Sequence, residues 1–355
     1  MWLLKLHVYE ASSGNINVAR FPNCLTTMAM PSIVSLPPEV LEIIVDYCDG
    51  PSLLNLQLTG KGLVKDVATA RTWSHIWINT DPQSSAISRQ RRKSGIKLDR
   101  GNVRVFFKAA LFGHLNHVLP LVRSLTFIIG SKLFTIGNKA PTIAGPDYDG
   151  AILAADPGHL LYWIVEAFMS KRMANVKKVQ VWIPCSDTIA NTGWFISRFP
   201  SSAQVKVHVE PAGVSTKKWY DKLFTSNVSS ITISSGADFV LQRNIYLPYT
   251  IERLVLDEDE GNFETKDLKR LLSKCTRLTY LKTRCYRMIF SPDTDSIWPD
   301  SVIDLALHFD TAYGTFPPVV APKVRSAEVF TSLGKGFPDT FEFPNLEHVY
   351  VGFFC

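Results

Sequence analysis

The 355-residue chain has no apolar run near the length of about 18 residues that a membrane-spanning helix needs, so no membrane partner is expected. Its start is a poor secretory signal, because Lys5, His7 and Glu10 break up the apolar Trp2, Leu3 and Leu4. A cytoplasmic and/or nuclear location follows as the expectation. It has no Cys-x-x-Cys pair: Cys24, Cys48, Cys185, Cys275, Cys285 and Cys355 are scattered. Structural zinc needs clustered thiolates or imidazoles, and a chain of this length does not need disulfides, so neither is expected. General charge is also missing. The net charge is +6, but Arg89–Arg100 holds six basic residues and one acid, which leaves +1 for everything else. A nucleic-acid-binding surface is therefore not indicated, although Arg89–Lys93 also reads as a nuclear-localisation run.

Catalytic constellations are absent as well. His114 and His117 lie three residues apart on an expected helix but have no evident third ligand. Cys275 and Cys285 occupy core-like and strand-like positions rather than nucleophile positions, and Gly334-Lys335-Gly336 lacks the rest of a phosphate-loop pattern. The acidic run Asp257–Glu260 reads as a solvated loop just past a strand. No catalytic residue, metal or cofactor is expected, and the chain reads as a non-enzyme.

What the chain does have is apolar content and period. Hydrophobic residues make up 46%, enough for a sizeable core. Residues 1–30 show no clear period and read as a flexible N-terminal extension, within which Met28 or Met30 is an alternative start. Residues 31–78 read as short helices. Pro37 and Pro38 suit a first helical turn, Glu39 suits the helix dipole, and Val40, Leu41, Ile43, Ile44 and Tyr47 recur at helical spacing. Asp49-Gly50-Pro51 stops that helix, and Ser52 then caps a second with Leu53, Leu54, Leu56 and Leu58. A third stretch runs from Leu63 through Val67 and Ala70 to Trp73 and Ile76. Residues 79–101 read as a basic linker, and Asn102 caps a helix carrying Val103, Phe106, Phe107, Ala110, Leu111 and Leu115.

From Val122 onward one pattern returns nine times, apolar-x-x-apolar-x-apolar, with copies opening at Val122, Val176, Ser202, Val228, Ile251, Leu278, Val302, Val324 and Leu346. From 176 the starts lie 26, 26, 23, 27, 24, 22 and 22 residues apart. Alternation within a copy makes a short strand, and a period in this range makes a solenoid of stacked units. Helical stretches fall between copies, one at Gly158–Met173 and one opening at Thr265 with Leu268, Leu271, Leu272 and Cys275. The double interval before Val176 holds a decayed repeat or an insertion over residues 137–158. A set of unrelated strands in another α/β fold is the competing reading. The array closes on Val349, Val351, Phe353 and Phe354 with no polar capping unit, so either the chain is truncated or another chain or domain covers that end.

Residues 36–76 resemble an F-box. They carry Leu36-Pro37-Pro38-Glu39, the apolar pair Ile43-Ile44, the leucine-rich second helix with Leu53, Leu56 and Leu58, a turn at Thr59-Gly60-Lys61, and the closing Trp73 and Ile76. Gly60 and Gly62 depart from the family pattern at that turn. F-box proteins with leucine-rich repeats are substrate receptors of Skp–cullin–F-box ubiquitin ligases. The resemblance implies a small all-α F-box over 31–78, followed over 102–355 by an α/β leucine-rich-repeat solenoid, a horseshoe with parallel strands on its concave face. It implies that Leu36, Pro37, Glu39, Ile43, Ile44, Leu53, Leu56, Leu58 and Trp73 bind the Skp adaptor and, through it, cullin. A helical cap on the solenoid is the alternative for this segment.

Substrate recognition is then expected on the concave face, at the x positions Lys178, Trp182, Lys206, His208, Arg253, Tyr280, Lys282, Arg284, His308 and Tyr350. Cations flanked by aromatics suit a protein substrate with an acidic or phosphorylated element, an ordinary solvated sheet face being the competing reading. A non-degradative interaction scaffold is the alternative function, and an enzyme on an α/β repeat frame a distant third.

Overall fold

The computed structural model describes residues 33–79, 95–98, 113–129, 173–183, 202–210, 227–234, 237–242, 247–291, 298–313, 319–321, 323–332 and 341–354, with single positions at 103, 106, 109, 110, 196, 199, 200 and 245. The expected N-terminal extension, the runs Arg89–Lys93 and Gly334–Gly336, the 137–158 insertion and nearly all of the Gly158–Met173 helix lie outside the described residues.

Three helices open the described chain: α1 (Pro38–Tyr47), α2 (Gly50–Thr59) and α3 (Leu63–Ser74). Two of them bury a stripe at helical spacing, Leu41 and Val45 on α1 and Val64, Ala68 and Thr72 on α3, while α2 buries Leu53. The cap of α2 is Asp49 rather than Ser52: the Ser52 N–H donates to the Asp49 carboxylate at 2.9 Å. Asp49-Gly50-Pro51 thus starts the second helix as well as ending the first, because an acidic cap followed by proline in the first turn needs no extra donors.

The glycine turn has a physical reason. Gly62 opens α3 at φ 53° and ψ −133°, a conformation that side chains other than hydrogen rarely adopt, and a Cβ on Gly60 would stand 2.3 Å from the Leu56 carbonyl oxygen. Gly62→Ala is expected to cost about 1–2 kcal/mol through backbone strain alone, since no atom lies within 4 Å of the added methyl. Amide hydrogen exchange on the intact chain should show it as faster exchange in α2 and α3 with protection in the sheet unchanged.

The rest of the described chain is a solenoid of parallel strands. Its one large sheet has eleven strands, every neighbouring pair parallel: β2 (Ile96–Leu98) forms one edge, β1 (His75–Asn79) lies next to it, and the nine repeat strands follow in sequence order to the other edge. The nine repeat copies fall on β3 (Ser124–Ile128), β4 (Lys178–Ile183), β5 (Gln204–Val209), β6 (Val228–Ile233), β7 (Arg253–Glu264), β8 (Tyr280–Ile289), β9 (Asp304–Tyr313), β11 (Ser326–Ser332) and β13 (His348–Phe354). The two-residue strands β10 (Val319–Val320) and β12 (Phe341–Glu342) pair separately.

Register explains why the repeats stack. The apolar positions line up into rows across the sheet, one running Ile78, Phe127, Val181, Val207, Ile231, Leu254, Leu281, Leu305, Ala327 and Val349. All but the last are buried in one continuous core, with each repeat covering its neighbour. Backbone bonds of 2.8–2.9 Å repeat just before the strands, from Glu252 to Ser229, Thr279 to Glu252, Ile303 to Thr279, Arg325 to Ile303 and Glu347 to Arg325. Side chains entering the strands add to this ladder. Asn175 donates to the Pro120 carbonyl at 2.8 Å, Asn227 to Ile196 at 2.9 Å and Thr250 to Val228 at 2.9 Å. Helix α5 (Thr265–Leu272) forms where the apolar spacing placed it and buries Leu268, Leu271 and Leu272, while α4 (Ala237–Gln242) is a shorter helix between β6 and β7.

Four expectations need correction. The sheet begins before residue 102: β1 (His75–Asn79) follows α3 without a loop and pairs with β3, and β2 (Ile96–Leu98), inside the expected linker, pairs with β1. Ile76 is thus a strand residue, which the boundary at 78 had assigned to the helical unit. The acidic run Asp257–Glu260 lies within β7, where a register shift between Glu258 and Asn262 absorbs it. Glu258 accepts the Ala237 N–H of α4 at 3.1 Å, so this acid secures a helix start. His114 and His117 sit exposed in a run of turns at 113–118, not on one helical face.

Candidate functional site

Two surfaces stand out, one on the helices and one on the sheet. On the helices, the stripe opposite the buried one is also apolar. Val40, Ile43 and Tyr47 line one side of α1, and Leu54 and Leu58 lie one turn apart on α2. Leu63 opens α3 nearby in sequence. All six are exposed, Ile43 at 59%, Leu58 at 72% and Tyr47 at 89%. A helix apolar on both sides can bury only one of them in its own unit and leaves the other exposed.

The expected adaptor residues divide on this surface. Ile43 and Leu58 belong to the exposed set, Pro37 and Glu39 are exposed beside it, and Leu36, Ile44 and Leu56 are half-buried. Leu53 is fully buried in the helical unit, and Trp73 stacks on Phe106 with ring centroids 6.3 Å apart. These two shape the unit from inside and do not join the exposed stripe. Val40, Tyr47, Leu54 and Leu63 do join it. Their spacing was legible as helix, but the side they take depends on which stripe packs against α3.

On the sheet, the face opposite the core carries rows of the x residues. One row runs Trp77, Thr126, Gln180, Lys206, Ser230, Arg253, Tyr280, Asp304, Ser326 and His348. The next runs Asn79, Ile128, Trp182, His208, Thr232, Val255, Lys282, Ala306, Glu328 and Tyr350. A third aligns Asp257, Arg284, His308, Phe330 and Gly352.

This face is not open throughout. Over β1, β3 and β4 the side chains of Trp77, Asn79, Thr126, Ile128 and Trp182 are buried. From β5 onward Lys206, Arg253, Arg284 and Tyr350 are exposed, with Tyr280 and Lys282 half-buried. Lys178 is exposed at the row nearest the strand starts. Trp182 and His308 therefore back the surface more than they present to it. The Arg253 guanidinium lies 3.4 Å from the centre of the Tyr280 ring, which holds it flat against the sheet. Arg284 and Asp257 approach to 3.8 Å, and His308 Nε2 meets Glu328 Oε1 at 2.9 Å.

The two imidazoles report the local field. His208 stacks on Trp182 with centroids 4.2 Å apart and planes 9° apart, and its Nε2 contacts the Gln180 amide nitrogen at 3.0 Å. Burial, then the charges of Lys206 and Arg253, pull its pKa down to about 4. Burial, then Lys282, also lowers that of His308, against the opposing bond to Glu328. His208 is consequently neutral in the folded chain at neutral pH, while the unfolded chain protonates it below about pH 6.5. The contribution of His208 to stability is therefore expected to be complete above that value and to be lost as pH drops from about 6.5 to 4, by roughly 3 kcal/mol in all. Denaturant unfolding at pH 7.5 and 4.5 should show His208→Gln losing less stability than the unaltered chain between the two.

The Cys275 and Cys285 thiols are buried and pushed up to about 12, which removes them as nucleophiles. No three metal-ligating side chains converge among the described residues, and no described helix is long and apolar enough to cross a membrane. No family model matches the chain, and no curated protein matches it. What the described residues offer is an exposed set of apolar side chains on the helices and a sheet face carrying cations, acids and aromatics.

Proposed function

We propose that this chain is the substrate-recognition subunit of a Skp–cullin–F-box ubiquitin ligase, with the three N-terminal helices as the F-box and the solenoid built of leucine-rich repeats. The exposed apolar side chains of Val40, Ile43 and Tyr47 on α1, Leu54 and Leu58 on α2, and Leu63 at the start of α3 carry the reading. A unit of this size that exposes so many large apolar side chains has a partner surface, and the F-box-like sequence over 36–76 names the Skp adaptor as that partner. The helices connect to the sheet without a linker, α3 running straight into β1, so an adaptor on the stripe would stand at a set distance from whatever the sheet holds. Such a geometry suits a receptor that presents its target to a conjugating enzyme bound elsewhere in the ligase, and it requires no catalytic residue in this chain.

Reconstitution tests this. The intact chain mixed with Skp adaptor and cullin should form a three-component complex on size exclusion. Adaptor binding without cullin would favour the non-degradative scaffold, and no binding to either would leave the helices as a cap on the solenoid.

A further inference from the structure

Three cations on the sheet face, Lys206, Arg253 and Lys282, make no ion pair with any described residue. Their spacing follows from the register. Lys206 and Arg253 share a row two strands apart, about 10 Å, since neighbouring strands lie about 4.8 Å apart. Lys282 lies one strand further and one row over, a diagonal of about 8 Å. An extended peptide advances about 3.3–3.6 Å per residue, so it would meet a cation every two or three residues while crossing the strands.

We infer that the face from β5 to β9 binds an extended acidic segment of a protein, carrying carboxylates at about every third residue and running across the strands. This rests on the reading of the sheet face as the receptor's recognition surface. Three features favour that ligand. The cations are spread across three strands and two rows instead of converging, which matches charges distributed along a chain better than one concentrated phosphate. Arg253, held flat by Tyr280, keeps the edge of its guanidinium for a bidentate carboxylate. Ser230 and Ala306, short side chains beside Lys206, Arg253 and Lys282, leave room for a backbone to lie between the long ones.

The acids present set its limits: Asp257 pairs with Arg284, Asp304 lies beside Tyr280, and Glu328 is bound to His308. Single-stranded nucleic acid is disfavoured because bases need open aromatic faces beside the cations, whereas there Tyr280 is covered by Arg253 and Trp182 is buried, and the exposed Tyr350 lies on β13, outside this stretch.

The test is fluorescence anisotropy on the intact chain with a labelled synthetic peptide, glutamate at every third position in a glycine–serine background. Binding should weaken about tenfold or more in Arg253→Glu and in Lys282→Glu. It should be unchanged in Lys323→Glu, the same charge change outside the strands. Equal binding by all variants would overturn the proposal. So would tighter binding of a peptide with a single phosphoserine and no glutamate, or of a labelled oligonucleotide, lost in the same variants. The adaptor is not needed for this measurement, so its failure and the failure of adaptor docking are separate results.

Discussion

Replacing Ile43 and Leu58 together by aspartate is expected to weaken Skp adaptor binding at least about 100-fold while leaving the fold intact. Ile43 and Leu58 are 59% and 72% exposed, so neither supports the helical unit's own core, which rests on Leu41, Val45, Leu53 and Val64. Two carboxylates in an apolar contact would each need desolvation without a partner, a cost of several kcal/mol. Calorimetric titration of adaptor into the variant, beside a melting curve of the variant alone, separates lost docking from lost folding. Leu53→Asp makes the contrast. It buries a charge at a position with 0% exposure and should unfold the unit, losing the adaptor together with the melting transition of α1 to α3.

The second large effect belongs to the solenoid. Leu281 is fully buried in the middle of a row, between Leu254 and Leu305. Leu281→Ala should cost about 3–4 kcal/mol, from lost transfer energy and the cavity left between repeats. Val349 ends the same row at 60% exposure, and Val349→Ala should cost less than about 1 kcal/mol. Denaturant midpoints of the two variants, read by far-ultraviolet dichroism, check the difference. The comparison is informative because a sheet of stacked repeats depends on each neighbour covering the last, so position along the row decides the cost.

The repeat period was legible because nine copies place their apolar residues alternately, and every one of them became a strand of the large sheet. Strands β1 and β2 were not. His75–Asn79 continues directly from α3, so Trp73 and Ile76 read as one helical pattern, and Ile96–Leu98 is three residues inside a basic run. Neither length nor period marks such strands; only pairing with β3 and β1 does. The acidic stretch of β7 was hidden for the opposite reason, since Asp257–Glu260 has the composition of a loop yet is held by β8 on one side and by the Glu258 contact with α4 on the other.

The candidate surfaces were legible in part. The apolar spacing of α1 and α2 showed in the sequence, but not which stripe faces out, because Leu53 and Leu54 are adjacent and only packing against α3 separates them. On the sheet, alternation identified the outward positions. Burial of Trp182 and His308 depends on what stands beside them, Trp182 under the His208 ring and His308 against Glu328 and Phe330.

Docking of the helices on the Skp adaptor is the proposal on which the receptor reading depends. Titration calorimetry of purified adaptor into the intact chain tests it most directly. Saturable one-to-one binding with a Kd below about 1 μM is expected, with large apolar burial showing as a negative heat-capacity change between two temperatures. No binding by a chain that melts cooperatively would contradict it.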